Sequence, residues 1–477
     1  MSNNKKKAGK TASKTAENMM IVGGGLVGSL LAAVLADLEI NVDVFESRGD
    51  MRKEHVGQGR SINLAMSVRG LHALQNLGIA DEVMSKVVAM RGRVIHPVAG
   101  PTVFQRYGKD DSECIYSVSR ADLNKLLMTF AEKSNRVKFH FHERLMAANL
   151  KTNELTFFNE LAKEQTILTP SRVFGTDGSA SALRLALHGE SGFAETREEL
   201  SYGYKELTLP AGAAGNFQMD KNGLHIWPRG AYMLIALPNC EGSFTCTLFL
   251  SHKGGLSFES LTTPEKVDAF FGEQFPDIHK LLPDVSEQFF KHPTGHMVTV
   301  KCSPWNSGAK AVLLGDAAHA IVPFFGQGMN CGFEDVTKLR ELIEERRDLH
   351  QKIDWEDLFS EFSKTRKPNS DAIANLAIEN FVEMRDKVGD PKFLLAKEVE
   401  KLLEKEFPGE YISRYRLVTF TRMAYSVAAE AGRIQDEFLA ELCQGITSAS
   451  QVDLIRAKKM IHQELAPLLK AEAARVL

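Results

Sequence analysis

The sequence predicts an α/β fold in three parts: an N-terminal βαβ domain around a glycine turn, an antiparallel β-sheet domain, and a C-terminal helical region. Three observations carry this. A short apolar strand, a glycine-rich turn and a helix-spaced run follow one another across residues 19–38. Between 200 and 295, "GYKELTLP", "GLHIWPR", "YMLIALPN" and "SFTCTLFL" read as successive strands of a sheet. After 366, "AIANLAIENFVEMRDKV" and "FLLAKEVEKLLEKEF" repeat their apolar positions with helical period.

The bulk composition narrows the function. The chain has 477 residues, 44% hydrophobic and 25% charged, with a formal net charge of -3, which suits two or three globular domains and offers no basic excess for nucleic acid. Its six cysteines (Cys114, Cys240, Cys246, Cys302, Cys331, Cys443) show neither metal-ligand nor CxxC spacing, so reduced thiols and no metal site are expected. Lys5, Lys6, Lys7, Lys10 and Lys14 ahead of "MMIVGGGLVGSLLAAVLADL" imitate a secretory signal. The glycines in that run, and the strand pattern after it, argue instead for a disordered basic tail over residues 1–17. No later stretch reaches the roughly 18 apolar residues of a spanning helix. A soluble chain without a membrane anchor is expected.

The βαβ unit is the first chemical signal. The strand "MMIVGG" leads into Gly23-x-Gly25-x-x-Gly28, the helix "SLLAAVLADL" follows, and a second strand, "NVDVFES", ends near Glu46. Gly23 permits the tight turn, Gly25 lets backbone approach a pyrophosphate, and Gly28 lets helix and strand pack closely. The helix start, with Leu26 and Val27, offers free N–H groups and the positive end of a dipole. Glu46 is placed to accept ribose hydroxyls, and Arg48 belongs to the same dinucleotide site. These features fit FAD and NAD equally well.

Two further stretches separate them. "VFGTDGSASALR" delivers Asp177 from a strand end, and "AKAVLLGDAAHA" delivers Asp316. With the glycine turn, this order of motifs resembles the flavoprotein hydroxylases. The resemblance implies bound FAD. Asp316 is expected to hold the flavin's sugar chain. Gly326, Gln327, Gly328, Met329 and Asn330 ("GQGMN") are expected to aim helix-start amides at the ring edge that becomes negative on reduction. Arg120, entering the helix in "YSVSRADLNKLL", is expected to contact the dinucleotide. His319 is expected to be structural rather than an acid or base.

Longer stretches narrow the resemblance. "GQGRSINLAMSVRGLHALQNLGI", "MRGRVIHP", "YSVSRADLNKLL", "LHIWPRGAYMLIALPN" and "GDAAHAIVPFFGQGMNCGFED" are similar to the kynurenine 3-monooxygenase family, from residue 19 to about 425. That resemblance implies hydroxylation of L-kynurenine to 3-hydroxy-L-kynurenine with NADPH and O2, through a flavin C4a-hydroperoxide. A hydroxylase for another aromatic acid is the alternative. No catalytic acid, base or triad is expected, because the aminated ring is already activated and the enzyme's task is positioning and exclusion of water. The family's substrate arginine falls on Arg93 and its partner tyrosine on Tyr107; Asn380 and Tyr415 are the further anchors. Met384, one turn beyond Asn380, is expected to line the pocket. Phe324 and Phe325 are expected to form an aromatic partition, with Ile226 and Phe249 as opposite walls. Some bacterial members carry His at the position of Phe325.

The expected division places a discontinuous FAD-binding domain at 18–75, 113–195 and 296–365, a β-sheet substrate domain at 76–112 and 200–295, and a helical domain closing the site at 366–477. No second dinucleotide-binding unit is found for NADPH. The expected location is the cytoplasm.

Overall fold

The computed structural model describes residues 18–54, 63–349, 352–383 and 390–476. The basic tail and Met384 lie outside the described residues.

A six-stranded sheet forms the first layer. Its order is Asn306–Ser307, Ala311–Leu313, Arg172–Gly175, Met19–Val22, Val42–Phe45, Val137–His140. Every pair except the first is parallel. The first strand in sequence is therefore central, and the chain order reverses across it. Such a reversal opens a crevice at the carboxyl ends of the strands. Helix Leu26–Asp37 is almost wholly buried, because it packs against the sheet and against helices Arg120–Glu132 and Gly328–Asp348. That explains its uniformly apolar sequence.

The second layer is a seven-stranded sheet, in the order Gly295–Ser303, Ala194–Leu209, Phe244–Ser251, Met233–Pro238, Gly223–Pro228, Gly92–Ile95, Val103–Arg106. The strands between 200 and 295 pair antiparallel, as expected, and the one parallel pair comes from an added strand. Gly223–Pro228 and Gly92–Ile95 run parallel, because the latter comes from a distant part of the chain rather than from a hairpin. The expected boundary at 295/296 shifts. Gly295–Ser303 pairs with the long strand Ala194–Leu209 from one end to the other, so it belongs to this sheet. Val87–Met90, expected here, instead joins Asn63–Met66 and Ile115–Ser119 in a small sheet of three.

Alternation along the strands gives the large sheet two apolar faces. One carries Leu207, Trp227, Leu234, Cys246 and Leu248 and packs on helices Pro264–Gln274, Pro276–His279 and Val285–Lys291. These helices interrupt the expected run of strands over 200–295. The signal was there: Thr263 caps the first, Pro264 starts it, and Val267, Phe270 and Phe271 form its buried stripe. The other face carries Ile226, Met233, Phe249 and Met297 and meets Val322, Phe324, Ala377 and Phe381. Helices Trp355–Val382, Pro391–Glu406, Arg414–Phe420 and Tyr425–Leu442 follow, with a shared core of Ile373, Leu403, Leu417, Tyr425 and Phe438. Among the described residues no helix is long and apolar enough to cross a membrane.

Candidate active site

The parallel sheet brings the three distant motifs together. Gly23 follows the strand ending at Val22, Glu46 the strand ending at Phe45, Asp177 the one ending at Gly175, and Asp316 the one ending at Leu313. All four lie at the carboxyl edge, in the crevice where the order reverses. Gly23 adopts φ +101°, a conformation suited to glycine, and its N–H donates to the Phe45 carbonyl at 2.8 Å. A Cβ on Gly28 would stand 1.9 Å from the Gly23 carbonyl oxygen, whereas one on Gly25 would meet no atom within 4 Å. Gly28 is therefore a packing glycine. Gly25 faces open space at the start of helix Leu26–Asp37, where the amides have no partner inside the helix.

Glu46 is buried. Its Oε2 accepts from the Gly24 N–H at 2.8 Å, and its Oε1 accepts from the Arg48 N–H at 2.8 Å and the Arg48 Nε at 2.7 Å. Burial alone would raise its pKa, but Arg48 and the Gly24 N–H outweigh it and hold the carboxyl below its ordinary value. These contacts use most of the carboxylate's lone pairs. A ribose reaching Glu46 must displace the Arg48 side chain, which is 52% exposed. Asn124, absent from the sequence expectations, donates to the Gly24 carbonyl at 3.1 Å and fixes helix Arg120–Glu132 beside the turn. Arg120 is half-buried at the start of that helix.

Asp177 spends one carboxylate oxygen on the Ala182 and Leu183 N–H groups at 2.8 and 3.3 Å. Its Oδ1 is buried without a hydrogen-bond partner, and burial pushes the carboxyl above its ordinary pKa. Arg184 is buried and donates to the Ala317 and Ser179 carbonyls at 2.8 and 2.7 Å, tying the Asp177 and Asp316 segments together. Asp316 is half-buried beside it. Gly315, at φ +59°, lies against the side chain of Val27, which also fills the space beside Gly332. Val27 thus wedges the first helix against helix Gly328–Asp348, and Leu26 is buried next to it.

At the start of helix Gly328–Asp348 the backbone N–H groups of Gly328, Met329 and Asn330 have no partner among the described residues. Gly326 turns the chain into the helix with φ +66°. The side chains here face inward. Asn330 is fully buried; its amide donates to the Ala65 and Gly326 carbonyls at 2.9 Å, and its oxygen accepts from the Ser67 N–H at 2.9 Å. Gln327 accepts from the Tyr425 hydroxyl at 2.9 Å. These two side chains help lock the loop, and its unpartnered amides are what the helix start offers a ligand.

His319 lies behind this helix start, with Nε2 2.6 Å from Asp335 Oδ2. Burial lowers its pKa, but the Asp335 carboxylate outweighs that and raises it well above the ordinary histidine value. Arg366 bridges Asp335 at 2.8 Å and Glu334 at 2.7 Å, and Arg69 completes the chain on Glu334. His319, Cys331 and Asp335 offer ligand atoms within 4.8 Å of one another. The Arg366 guanidinium lies on both Asp335 and Cys331 and disfavours a cation there. The group is a buried ion-pair network.

The large sheet supplies the other wall. Arg93 pairs in register with Leu224 and Gln105. Its guanidinium lies 5.6 Å from the Tyr107 ring centroid and 5.1 Å from that of Tyr415. The two tyrosine rings stack at 5.3 Å, and Phe325 stacks on Tyr415 at 5.7 Å. Burial pushes both phenols above their ordinary pKa, so they are neutral donors. No carboxylate among the described residues forms an ion pair with Arg93; Glu383 acts on it only through space. Phe324 turns the other way. It stacks on Phe381 at 4.1 Å and touches Phe249 at 5.0 Å, and Ile226 joins the same buried cluster. Phe324 lies within the apolar wall, and Phe325 packs against both that wall and Tyr415. Asn380 donates to the Phe324 carbonyl at 2.7 Å.

Fold and crevice define an FAD-binding protein of the α/β class. The family model described as "FAD binding domain" matches residues 17–348. Kynurenine 3-monooxygenase of Myxococcus xanthus is 52% identical over 96% of this chain and 97% of its own. The Dictyostelium discoideum and Xanthomonas campestris enzymes of that name are 43% and 41% identical, covering 93% and 96% of this chain and 97% and 99% of theirs. The chain belongs to the kynurenine 3-monooxygenase family. Among solved structures, tetrameric 2-methyl-3-hydroxypyridine-5-carboxylic acid oxygenase shares the fold, with a TM-score of 0.64 at 19% identity over 80% of this chain and 96% of that one. PqsL of Pseudomonas aeruginosa, solved with 2-aminobenzoylacetate, gives 0.61 at 17% over 78% and 97%.

Proposed function

We propose that this chain hydroxylates L-kynurenine to 3-hydroxy-L-kynurenine, with NADPH and O2 as co-substrates. One observation carries the reading: Arg93, without a carboxylate partner among the described residues, lies beside the stacked Tyr107–Tyr415 pair, next to the loop that enters helix Gly328–Asp348. A guanidinium so placed suits the carboxylate of an amino acid, bound through its fork with Tyr107 and Tyr415 as further donors. The relatives' name supplies the substrate.

The residues present fit FAD: an open space at Gly25, unpartnered amides at Gly328, Met329 and Asn330, and acids at the strand ends. Gly23, Gly25, Leu26, Val27, Gly28, Glu46, Arg48, Arg120, Asp177 and Asp316 would hold it. When bound, FAD supplies the redox chemistry that activates O2. The protein supplies position. Phe325 and Tyr415, stacked on each other, offer an aromatic surface against which a substrate ring can pack. Phe324, Phe249 and Ile226 form a dry wall, and Asn380 keeps Phe324 in place through its carbonyl. The ring's amine already activates the carbon to be hydroxylated, so no protein base is required. In this reading the parallel sheet and its helices carry FAD, the large sheet covers the substrate, and the C-terminal helices close over it. The free cysteines suit a reducing compartment, and we place the protein in the cytoplasm.

The test is product analysis. Purified protein with NADPH, O2 and L-kynurenine should give 3-hydroxykynurenine, in amounts matching the NADPH consumed. NADPH consumption yielding only hydrogen peroxide contradicts the assignment.

A further inference from the structure

The stacked pair Tyr107–Tyr415 is assembled from two separate parts of the fold. Tyr107 follows the edge strand Val103–Arg106 of the large sheet, and Tyr415 lies on the short helix Arg414–Phe420. A stack between such elements keeps its spacing only if something ties them together. Arg416, next to Tyr415, makes that tie. Its Nε and Nη2 donate to the two carboxylate oxygens of Glu113 at 2.8 and 2.6 Å, and its Nη1 reaches Glu404 at 3.2 Å.

Both acids also accept from backbone N–H groups. Glu113 also accepts from the Lys109 N–H at 2.9 Å, which folds the loop just after Tyr107 around the carboxylate. Glu404 also accepts at 2.8 Å from the N–H of Ser413, the residue that begins the short helix. All three side chains are mostly buried, at 14%, 15% and 20% exposure. Burial would raise the Glu113 pKa, but Arg416 and the Lys109 N–H hold it below its ordinary value, so the carboxylate stays charged. A two-pronged guanidinium–carboxylate pair fixes angle as well as distance.

We propose that Arg416 and Glu113 are positioning residues for the substrate: a clasp that fixes the Tyr107–Tyr415 stack, and with it the place of both hydroxyls beside Arg93, while the ring is hydroxylated. This rests on the reading of Arg93 as the carboxylate site. The clasp touches neither substrate nor cofactor in that reading. Its loss should loosen the stack and admit water, without disturbing the crevice at the parallel sheet.

The experiment uses holoenzyme. L-Kynurenine binding is followed by the change in the flavin spectrum, together with product formed per NADPH, FAD content and melting temperature. Glu113→Gln and Arg416→Gln should each weaken kynurenine binding roughly tenfold, the scale of one lost charged hydrogen bond. Each should divert more NADPH to peroxide with FAD content close to wild type; the partner left behind in a mostly buried site lowers the melting temperature of both, so binding is measured well below it. The double variant should be no weaker than the weaker single, because both remove the same pair. Arg416→Lys keeps the charge, loses the fork and should fall between. Unchanged binding in both single variants overturns the clasp. So do effects that multiply in the double variant, or a loss of binding that only follows loss of FAD or of fold. Arg93→Ala separates the two claims. If it too binds kynurenine like wild type, the site reading fails; if it loses binding while the clasp variants keep it, only the clasp is refuted.

Discussion

Gly25→Ala isolates the nucleotide cradle from the fold that carries it. Gly25 has φ -74° and ψ -172°, ordinary extended backbone that alanine adopts without strain. The added methyl meets no protein atom within 4 Å. The apoprotein should therefore be as stable as wild type, or more stable by roughly 0.4–1 kcal/mol through the stiffer unfolded chain. The methyl would nevertheless stand where the pyrophosphate is placed and push it off the turn. Losing one charge-assisted hydrogen bond costs roughly 1.5–3 kcal/mol, about ten- to a hundredfold in FAD affinity. Gly28→Ala is the contrasting variant, since its methyl lands 1.9 Å from the Gly23 carbonyl oxygen and should destabilise the apoprotein itself. Apoprotein is titrated with FAD by fluorescence, and melting is recorded without ligand. Wild-type FAD affinity in Gly25→Ala refutes the use of that space, and an apoprotein as unstable as Gly28→Ala refutes its openness.

Three further outcomes test other parts. Arg93→Ala should raise the kynurenine KM about ten- to a hundredfold with FAD retained; loss of FAD at unchanged KM contradicts the site. Asn330→Ala leaves the Ser67 N–H and the Ala65 and Gly326 carbonyls without that partner, and should lower stability by about 3 kcal/mol in denaturant titration. An unchanged midpoint would show that the amide does not lock the loop. Asp277 tests the sheet's other face. Burial raises its pKa, but hydrogen bonds from His96 and Trp227 bring it down to about 2, below the ordinary 3.8. A lowered folded-state pKa gives stability that is complete above the unfolded value and lost as pH falls through the folded one. The melting gap between wild type and Asp277→Asn should hold steady above pH 3.8 and close towards about 2; a gap that widens in acid contradicts this.

Much of the crevice is legible in sequence because its chemistry is local. Gly23, Gly25, Gly28 and Glu46 fall within one βαβ unit, and the Asp177 and Asp316 segments each carry their own strand and turn. Side-chain direction is not local. The "GQGMN" stretch shows a helix start but not that Gln327 and Asn330 turn inward, since their partners Tyr425 and Ser67 lie 98 and 263 residues away. Arg69 and Arg366 look like ordinary helical charges until the fold buries them on Glu334. Strand pairing is equally remote. Nothing within Gly295–Ser303 says which sheet it joins, and nothing in Gly92–Ile95 says that its neighbour runs parallel. Phe324 and Phe325 differ for the same reason: Phe324 is buried within the apolar wall, and Phe325 also reaches Tyr415, 90 residues on.

The central claim is that an amino-acid carboxylate on Arg93 places an aromatic ring beside the FAD crevice, and that substrate and redox chemistry are thereby coupled. Rapid mixing of anaerobic holoenzyme with NADPH, with and without L-kynurenine, tests it most directly through bleaching of the flavin absorbance. The account predicts slow reduction alone, a large acceleration with kynurenine, and loss of that acceleration at the same kynurenine concentration in Arg93→Ala. Reduction at one rate whether or not kynurenine is present, or an acceleration that survives Arg93→Ala undiminished, would contradict it.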